Sequence, residues 1–437
     1  MHKKFIFIQL NEINFDLVEK YINGTQENKY PNLTYIKNHY NNFQTFAENE
    51  YKNLEPWIQW VSVYLGKDYD SHQIFRLGDI VNHPEQKQIF EKIEEKGLKI
   101  GAISPMNGAN KLKNPVYFIP DPWTNTKSDD SKFSKRISKM LRQSVNENSS
   151  NKLSINSIIT IIEIILRTLD YRRTPFLIRQ IISSINKKWK KSLILDYLIH
   201  VLHFSFLKKK AVNFSSVFFN AGAHIQHHYF FNTIYIKDVP KNPDWYIDQS
   251  KDPIEDMLLI YDKIIGDYIN LPEKDYQLLI ATGLSQIPND NIKFYWRLKN
   301  HKSFLNKIGI NFSQVWPRMT RDFEIIFNSY NDQDNAKKIL QNITSKKDKI
   351  KIFQDIDERD KSLFVTLTYP AEVKKEDKLI VNQNSEFNFF NEISFVAIKN
   401  GKHDKKGYVF CSPNLNFKIS QKSTHVASIH DLILNNL

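Results

Sequence analysis

Short, nearly continuous apolar runs alternate along this chain with longer stretches of helical periodicity. Phe5-Ile6-Phe7-Ile8-Gln9-Leu10 is one such run, and its close in Asn11-Glu12 predicts a buried parallel strand whose C-terminal end presents side chains. Helical spacing follows near 14–22, and Asn32-Leu33-Thr34-Tyr35-Ile36 begins another helix within Pro31 to Tyr40. Ile89 to Lys96 reads as a helix closed by Gly97, leading into a strand over Leu98 to Ile103. Residues 125–155, rich in Ser, Asn and Lys, read as a surface linker. The rhythm resumes with Phe214 to Phe219 ending at Asn220, a helix at 253–270, and Tyr276 to Ala281 ending at Thr282. The last third is richer in strands, at Ser362 to Tyr369, Glu386 to Ile398 and Gly407 to Cys411, before a closing helix near 425–436. Alternating strands and helices predict an α/β fold with a doubly wound, mostly parallel sheet flanked by helices, whose ligands bind beyond the C-terminal strand ends. The expected organisation is a first part of the core over 1–124, a helical basic insertion or cap over 125–213, and a second part of the core over 214–437.

Composition narrows this picture. With 437 residues, 41% of them hydrophobic and 25% charged, the chain can bury a large core and is too apolar for a disordered one. A single cysteine, Cys411, excludes a disulfide framework and a cysteine-based zinc site. Met1-His2-Lys3-Lys4 runs into an apolar segment too short for a signal sequence, so a cytoplasmic location is expected. The net charge is +13, and residues 151–215 carry twelve Lys/Arg, Lys152 among them, against Glu163, Asp170 and Asp196. Apolar residues in that stretch recur at helical spacing, as in Ile158-Ile161-Ile162-Ile165 and Leu193-Leu198-Val201-Leu202, which predicts amphipathic helices with basic faces. Glu163 and Asp196 interrupt the two runs that come nearest to a membrane span. Two readings stay open: a cap whose lysines are solvated, or helices lying on an anionic membrane surface, placing the protein peripherally at the inner membrane face. No nucleic-acid module is present, and none is expected as a partner.

The polar residues after each strand are therefore the candidates for chemistry. They form clusters at Asn11-Glu12, at Glu55-Pro56-Trp57-Ile58-Gln59-Trp60, at Asn220 to His228, at Thr282-Gly283-Leu284-Ser285-Gln286, and at Gly401-Lys402-His403-Asp404. Their order and spacing resemble the alkaline phosphatase superfamily, in particular its type I phosphodiesterase/nucleotide pyrophosphatase branch. Val63-Tyr64-Leu65-Gly66 and Ser71-His72-Gln73-Ile74 look like the stretch that follows that family's nucleophile helix. Asn220 to His224 has the spacing of its Asp-x-x-x-His pair, Ala281-Thr282-Gly283 sits where Ser-Asp-His would, and His403 resembles its final His. The resemblance implies metal-assisted chemistry on a phosphate-linked substrate, a phosphodiester, nucleotide-sugar or lipid-phosphate.

The ligand set is degenerate in this sequence. The first Asp is replaced by Asn11 or Glu12, the paired Asp by Asn220, and the Asp-His by Thr282-Gly283, while the nucleophile position falls on Glu55 or Pro56. An Asn amide brings no charge to offset a cation. The expectation is accordingly one divalent metal (Zn, Mn or Mg) on Asn220, His224 and His403, or none, and not the two-metal mechanism. Glu12, Glu55, His224 and His228 are the candidates for acid/base work, because two carboxylates and imidazoles titrating near neutrality can move protons without a metal. His224 and His228, four apart, share a helical face, and His227 is expected to point elsewhere. Trp57 and Trp60 with Gln59 between them look like a stacking platform for a sugar ring or base, unless they are simply core. Asn11, Asn107, Thr282 and Gln286 complete the substrate-binding candidates. The competing functions are a metal-independent transferase or lyase in glycan or lipid biosynthesis, and a non-catalytic sugar- or nucleotide-binding protein.

Overall fold

A computed structural model describes residues 4–25, 28–146, 154–318, 320–382, 385–416 and 423–437. The chain forms two compact units: residues 1–239, 244–288 and 401–437 make the first, and 240–243 with 289–400 the second. Residues 289–400, carried above within the second part of the core, thus form a unit of their own, and the helices expected of the insertion belong to the first unit.

In chain order the first unit runs β1 (Lys4–Leu10), α1 (Phe15–Gly24), α2 (Pro31–His39), β2 (Asn41–Phe46), α3 (Pro56–Leu65), α4 (Tyr69–His72), α5 (Ile89–Glu95), β3 (Ile100–Ile103), β4 (Tyr117–Ile119), α6 (Lys132–Asn146), α7 (Ile155–Arg167), α8 (Arg173–Ser183), α9 (Lys190–Lys209), β5 (Phe214–Phe219), α10 (Ala221–Tyr229), α11 (Pro253–Ile269) and β6 (Tyr276–Ala281). It closes with β7 (Lys406–Cys411), β8 (Ser423–His425) and α12 (Ile429–Leu434). The eight strands form one sheet in the order β8-β2-β7-β6-β1-β5-β3-β4. β1 pairs in parallel with β5 and β6, and β3 in parallel with β4 and β5, while β7 is antiparallel to both β6 and β2. This is the expected mostly parallel α/β sheet flanked by helices.

β1 is apolar on both faces because both faces are covered. Ile6, Ile8 and Leu10 join one core with Val217, Phe219, Tyr197 and Tyr261, whereas Phe5 and Phe7 join the opposite one with Trp60, Phe90, Phe214 and Leu279. Register then places the site: Leu10 aligns with Phe219 and Gln9 with Ala281, so Asn11, Asn220 and Thr282 emerge side by side from three neighbouring strands. The segment read as a linker holds α6 instead. Ile137, Met140 and Leu141 repeat at helical spacing and are buried, a pattern masked by the surrounding Ser, Asn and Lys. Residues 147–153, including Lys152, lie outside the described residues.

The second unit is built on antiparallel sheets, one of four strands in the order 355–359, 362–366, 322–326, 314–317 and one of three. Its core includes Phe304, Phe323, Leu340, Phe353, Leu363 and Val365.

Candidate functional site

The end of β1 turns sharply at Glu12, whose φ of +62° puts it in the left-handed region that L-residues occupy at a cost of roughly 1–2 kcal/mol. The surroundings enforce that turn. Glu12 N–H donates to the Thr282 carbonyl (3.1 Å), and its own carbonyl accepts from Gln226 Nε2 (2.7 Å). The carboxylate is thereby held inside the protein with only 2% of the residue exposed. Oε1 accepts from Asn11 Nδ2 (3.0 Å) and Oε2 from Gln286 Nε2 (2.6 Å).

Two imidazoles face the same carboxylate. His227 Nε2 lies 3.1 Å and His403 Nε2 3.2 Å from Glu12 Oε2, and the two rings are 5.1 Å apart between centroids. Burial alone would raise the Glu12 pKa, but the charges of His403 and His227, with the hydrogen bonds of both, hold it far below the usual carboxylate range. On the far side of His403, Nδ1 is 3.7 Å from Glu55 Oε2. Glu55 is the N-cap residue of α3, its side chain makes no capping bond, and it is about one-third exposed. The site thus has a buried carboxylate, two histidines, and a second carboxylate facing outward.

The donor set fits a divalent cation. Glu12, His227 and His403 each bring one ligand atom, and these lie within 4.8 Å of one another. His227 Nδ1 sits 3.4 Å from the Gly401 carbonyl, an acceptor for Nδ1–H that would leave Nε2 as the ligand atom were a cation to replace the proton between it and Glu12. Two acceptors that converge in this way need a proton or a cation between them. Gly401 is required here: a Cβ would lie 2.1 Å from Gln286 Oε1, displacing the residue that grips Glu12.

Helix α10 carries His224, His227 and His228, while His403 lies in the strand Ile393–Asp404, and the helix's first turn is fixed from outside. Asp196, on α9, accepts from Ala221 N–H (2.8 Å), from Asn220 N–H (3.3 Å) and from Tyr261 Oη (2.8 Å). Its oxygens cap the helix amides, and burial pushes the Asp196 pKa up to about 7 against the hydrogen bonds of Tyr261, Ala221 and Asn220. In the sequence Asp196 stands only as an interruption of an apolar run. Its position i−25 from the helix it caps gives no local signal.

The structure redistributes the other candidates. His227, expected to point elsewhere, is the member of the triplet that reaches Glu12. His224 and His228 do share a face, with ring centroids 4.6 Å apart, and burial and the His227 charge push the His224 pKa down to about 4. The triad nominated for a metal was Asn220, His224 and His403; the triad assembled is Glu12, His227 and His403, with Asn220 Oδ1 taken up by Asn11 Nδ2 at 2.8 Å. Asn11 is saturated, since its Oδ1 also accepts from Trp60 Nε1 (2.8 Å). Trp60 and Gln59 are fully buried, Trp60 between Phe7 and Phe218 and Gln59 bonding the Asn53 carbonyl, so the stacking platform does not form. Trp57 is half-buried and donates to the Phe75 carbonyl. Asn107, also buried, ties Gly78, Trp57 and Arg76 together through backbone atoms, and Thr282 Oγ1 accepts from Tyr408 N–H, which makes both structural. Gln286 is buried against Glu12 and positions it.

No family model matches the chain, and no curated protein does. Among solved structures it is similar to phosphonoacetate hydrolase from Sinorhizobium meliloti 1021, at 8% identity and a TM-score of 0.45 over 100% of this chain and 96% of that one. It is also similar to human ectonucleotide pyrophosphatase/phosphodiesterase 5 (12% identity, TM-score 0.43, 99% and 94% covered) and to alkaline phosphatase from the Antarctic bacterium TAB5 (9%, 0.39, 100% and 98%).

Proposed function

We propose that the chain is a hydrolase of phosphate-linked substrates working with a single divalent cation held by Glu12, His227 and His403. The observation that carries this reading is the convergence of those three donors at the C-terminal ends of β1 and β5, with Glu55 beside them. Glu12, His227 and His403 would hold the cation, which would supply charge to neutralise phosphoryl oxygens and Lewis acidity to polarise phosphorus. Gln286 and Asn11 hold the Glu12 carboxylate in one orientation, and the Gly401 carbonyl fixes the His227 tautomer. Glu55 Oε2 accepts the proton of the attacking water as its oxygen bonds to phosphorus and the bond to the leaving oxygen breaks. The N-terminus of α3, where Glu55 stands, adds its positive dipole end to the phosphoryl site.

Purified protein is expected to retain zinc or manganese through gel filtration and to hydrolyse p-nitrophenyl phosphate or bis(p-nitrophenyl) phosphate. Glu55→Gln should lower kcat by about 100-fold or more while metal content is kept. Absence of turnover with zinc, manganese and magnesium alike overturns the hydrolase. One observation favours a second reading, a non-catalytic sugar- or nucleotide-binding protein: Asn11, Asn220 and Thr282 stand where the resembling family has carboxylates, and all are tied into protein hydrogen bonds. Saturable binding of a sugar nucleotide that releases no product would select it.

A further inference from the structure

Eleven of the twenty large apolar side chains exposed among the described residues fall between Ile155 and Ile185. They are ordered. On α7, Ile155, Ile158, Ile159, Ile162 and Leu166 share one outward stripe, while Ser157, Thr160 and Ile164 are buried on the other side. On α8 and just past its end, Ile178, Ile181, Ile182 and Ile185 repeat the pattern with Leu177 turned inward. The connection between the helices exposes Leu169 and Tyr171 as well. An open, mainly apolar groove of about 840 Å³ runs along this connection and α8, with Arg179 on its wall. Soluble monomers rarely leave contiguous apolar surface of this kind uncovered.

The charge around the stripes selects what covers them. From Ser154 to Lys191 there are eight Lys/Arg against Glu163 and Asp170. Arg173 and Lys190 are spent on buried pairs with Asp267 and Asp256, but Arg172, Arg179 and Lys188 are exposed. Two copies of this face would bring like charges together, whereas an anionic bilayer surface attracts the basic residues and receives the isoleucines in its headgroup–acyl boundary. At 13 and 11 residues, α7 and α8 are too short to span a bilayer, and no helix among the described residues is long and apolar enough to cross one. We infer that α7 and α8 form an interfacial anchor that seats the protein on an anionic phospholipid surface.

The full chain is floated through a density gradient with phosphatidylcholine vesicles, with and without phosphatidylglycerol. Binding is expected only with the anionic vesicles and weakens as salt is raised, a readout that needs no variant. Arg179→Glu and Lys188→Glu are each expected to weaken it at least about fivefold. The pair Ile159→Glu/Ile182→Glu should weaken it by more than about tenfold with helix content unchanged by circular dichroism, since both positions are exposed. No flotation with either vesicle, or equal flotation with both, overturns the proposal. Dimerisation seen by light scattering without lipid and abolished by the same Ile→Glu pair overturns it in favour of a second copy.

Discussion

Glu12 carries two costs, a left-handed backbone and a buried charge, and the two histidines turned towards it offset part of the second. Such strain is tolerated where the surroundings over-determine it, and here Thr282, Gln226, Asn11 and Gln286 do so. Isothermal titration with zinc or manganese is therefore expected to show Glu12→Gln and His227→Ala losing affinity by about 100-fold or more. Gln286→Leu, which frees the carboxylate without removing it, should lose about 10- to 100-fold. His224→Ala should stay within about threefold of wild type; a loss matching that of His227→Ala would mean the wrong histidines have been placed at the cation. Glu12 and Glu55 could be picked out from the sequence because one follows an apolar run and the other leads a helix, and His403 because it resembles a family's final His. His227 could not, because i, i+4 spacing pairs His224 with His228 and says nothing of which stripe of the helix faces β1. That rotation is set by contacts distant in sequence, Asp196 on the first turn and Gly401 against the ring.

At the scale of elements, α9 ties the helical layer to the sheet through side chains that sequence periodicity treats as interruptions. Asp196 caps α10, and Asp196→Ala is expected to cost about 1–2 kcal/mol in denaturant unfolding and to weaken cation binding through the loosened first turn. His203 bridges Tyr268 Oη and Ser215 Oγ, each at 2.6 Å, and burial pushes its imidazole down to about 3. The unfolded chain protonates this histidine as pH falls through about 6.5, the folded one only near 3. Its stabilising contribution is therefore complete above pH 6.5 and is lost progressively towards pH 3, by at most about 1.4 kcal/mol per pH unit. The gap in unfolding free energy between wild type and His203→Gln should narrow as pH is lowered from 7 to 4; a gap independent of pH would contradict the buried neutral imidazole. Strands β1, β5 and β6 could be read in advance because burial on both faces leaves them continuously apolar. Helix α6 could not, since its buried residues are few and its exposed face shares the composition of a linker.

For the whole molecule, the donors at Glu12, His227 and His403 all belong to the first unit, while the second has its own core around Phe353 and Leu363. The sequence offered no boundary at 289 or 400, because the strands Ser285–Leu298 and Ile393–Asp404 carry the chain across both points without a break in regular structure. Two cores of different composition predict that unfolding departs from a single two-state transition. A ligand that binds only the folded first unit raises that unit's stability by about 2.7 kcal/mol at a hundredfold excess over its Kd. Calorimetry of the intact chain is thus expected to resolve two transitions, of which added zinc or manganese moves one upward. Phe353→Ala, at a fully buried position, should cost about 3–5 kcal/mol and lower the other. Glu12→Gln should leave both in place and abolish the response to cation. A single transition shifted by cation and by Phe353→Ala alike would show that the two units unfold as one, and a cation response surviving Glu12→Gln would place the metal elsewhere in the chain.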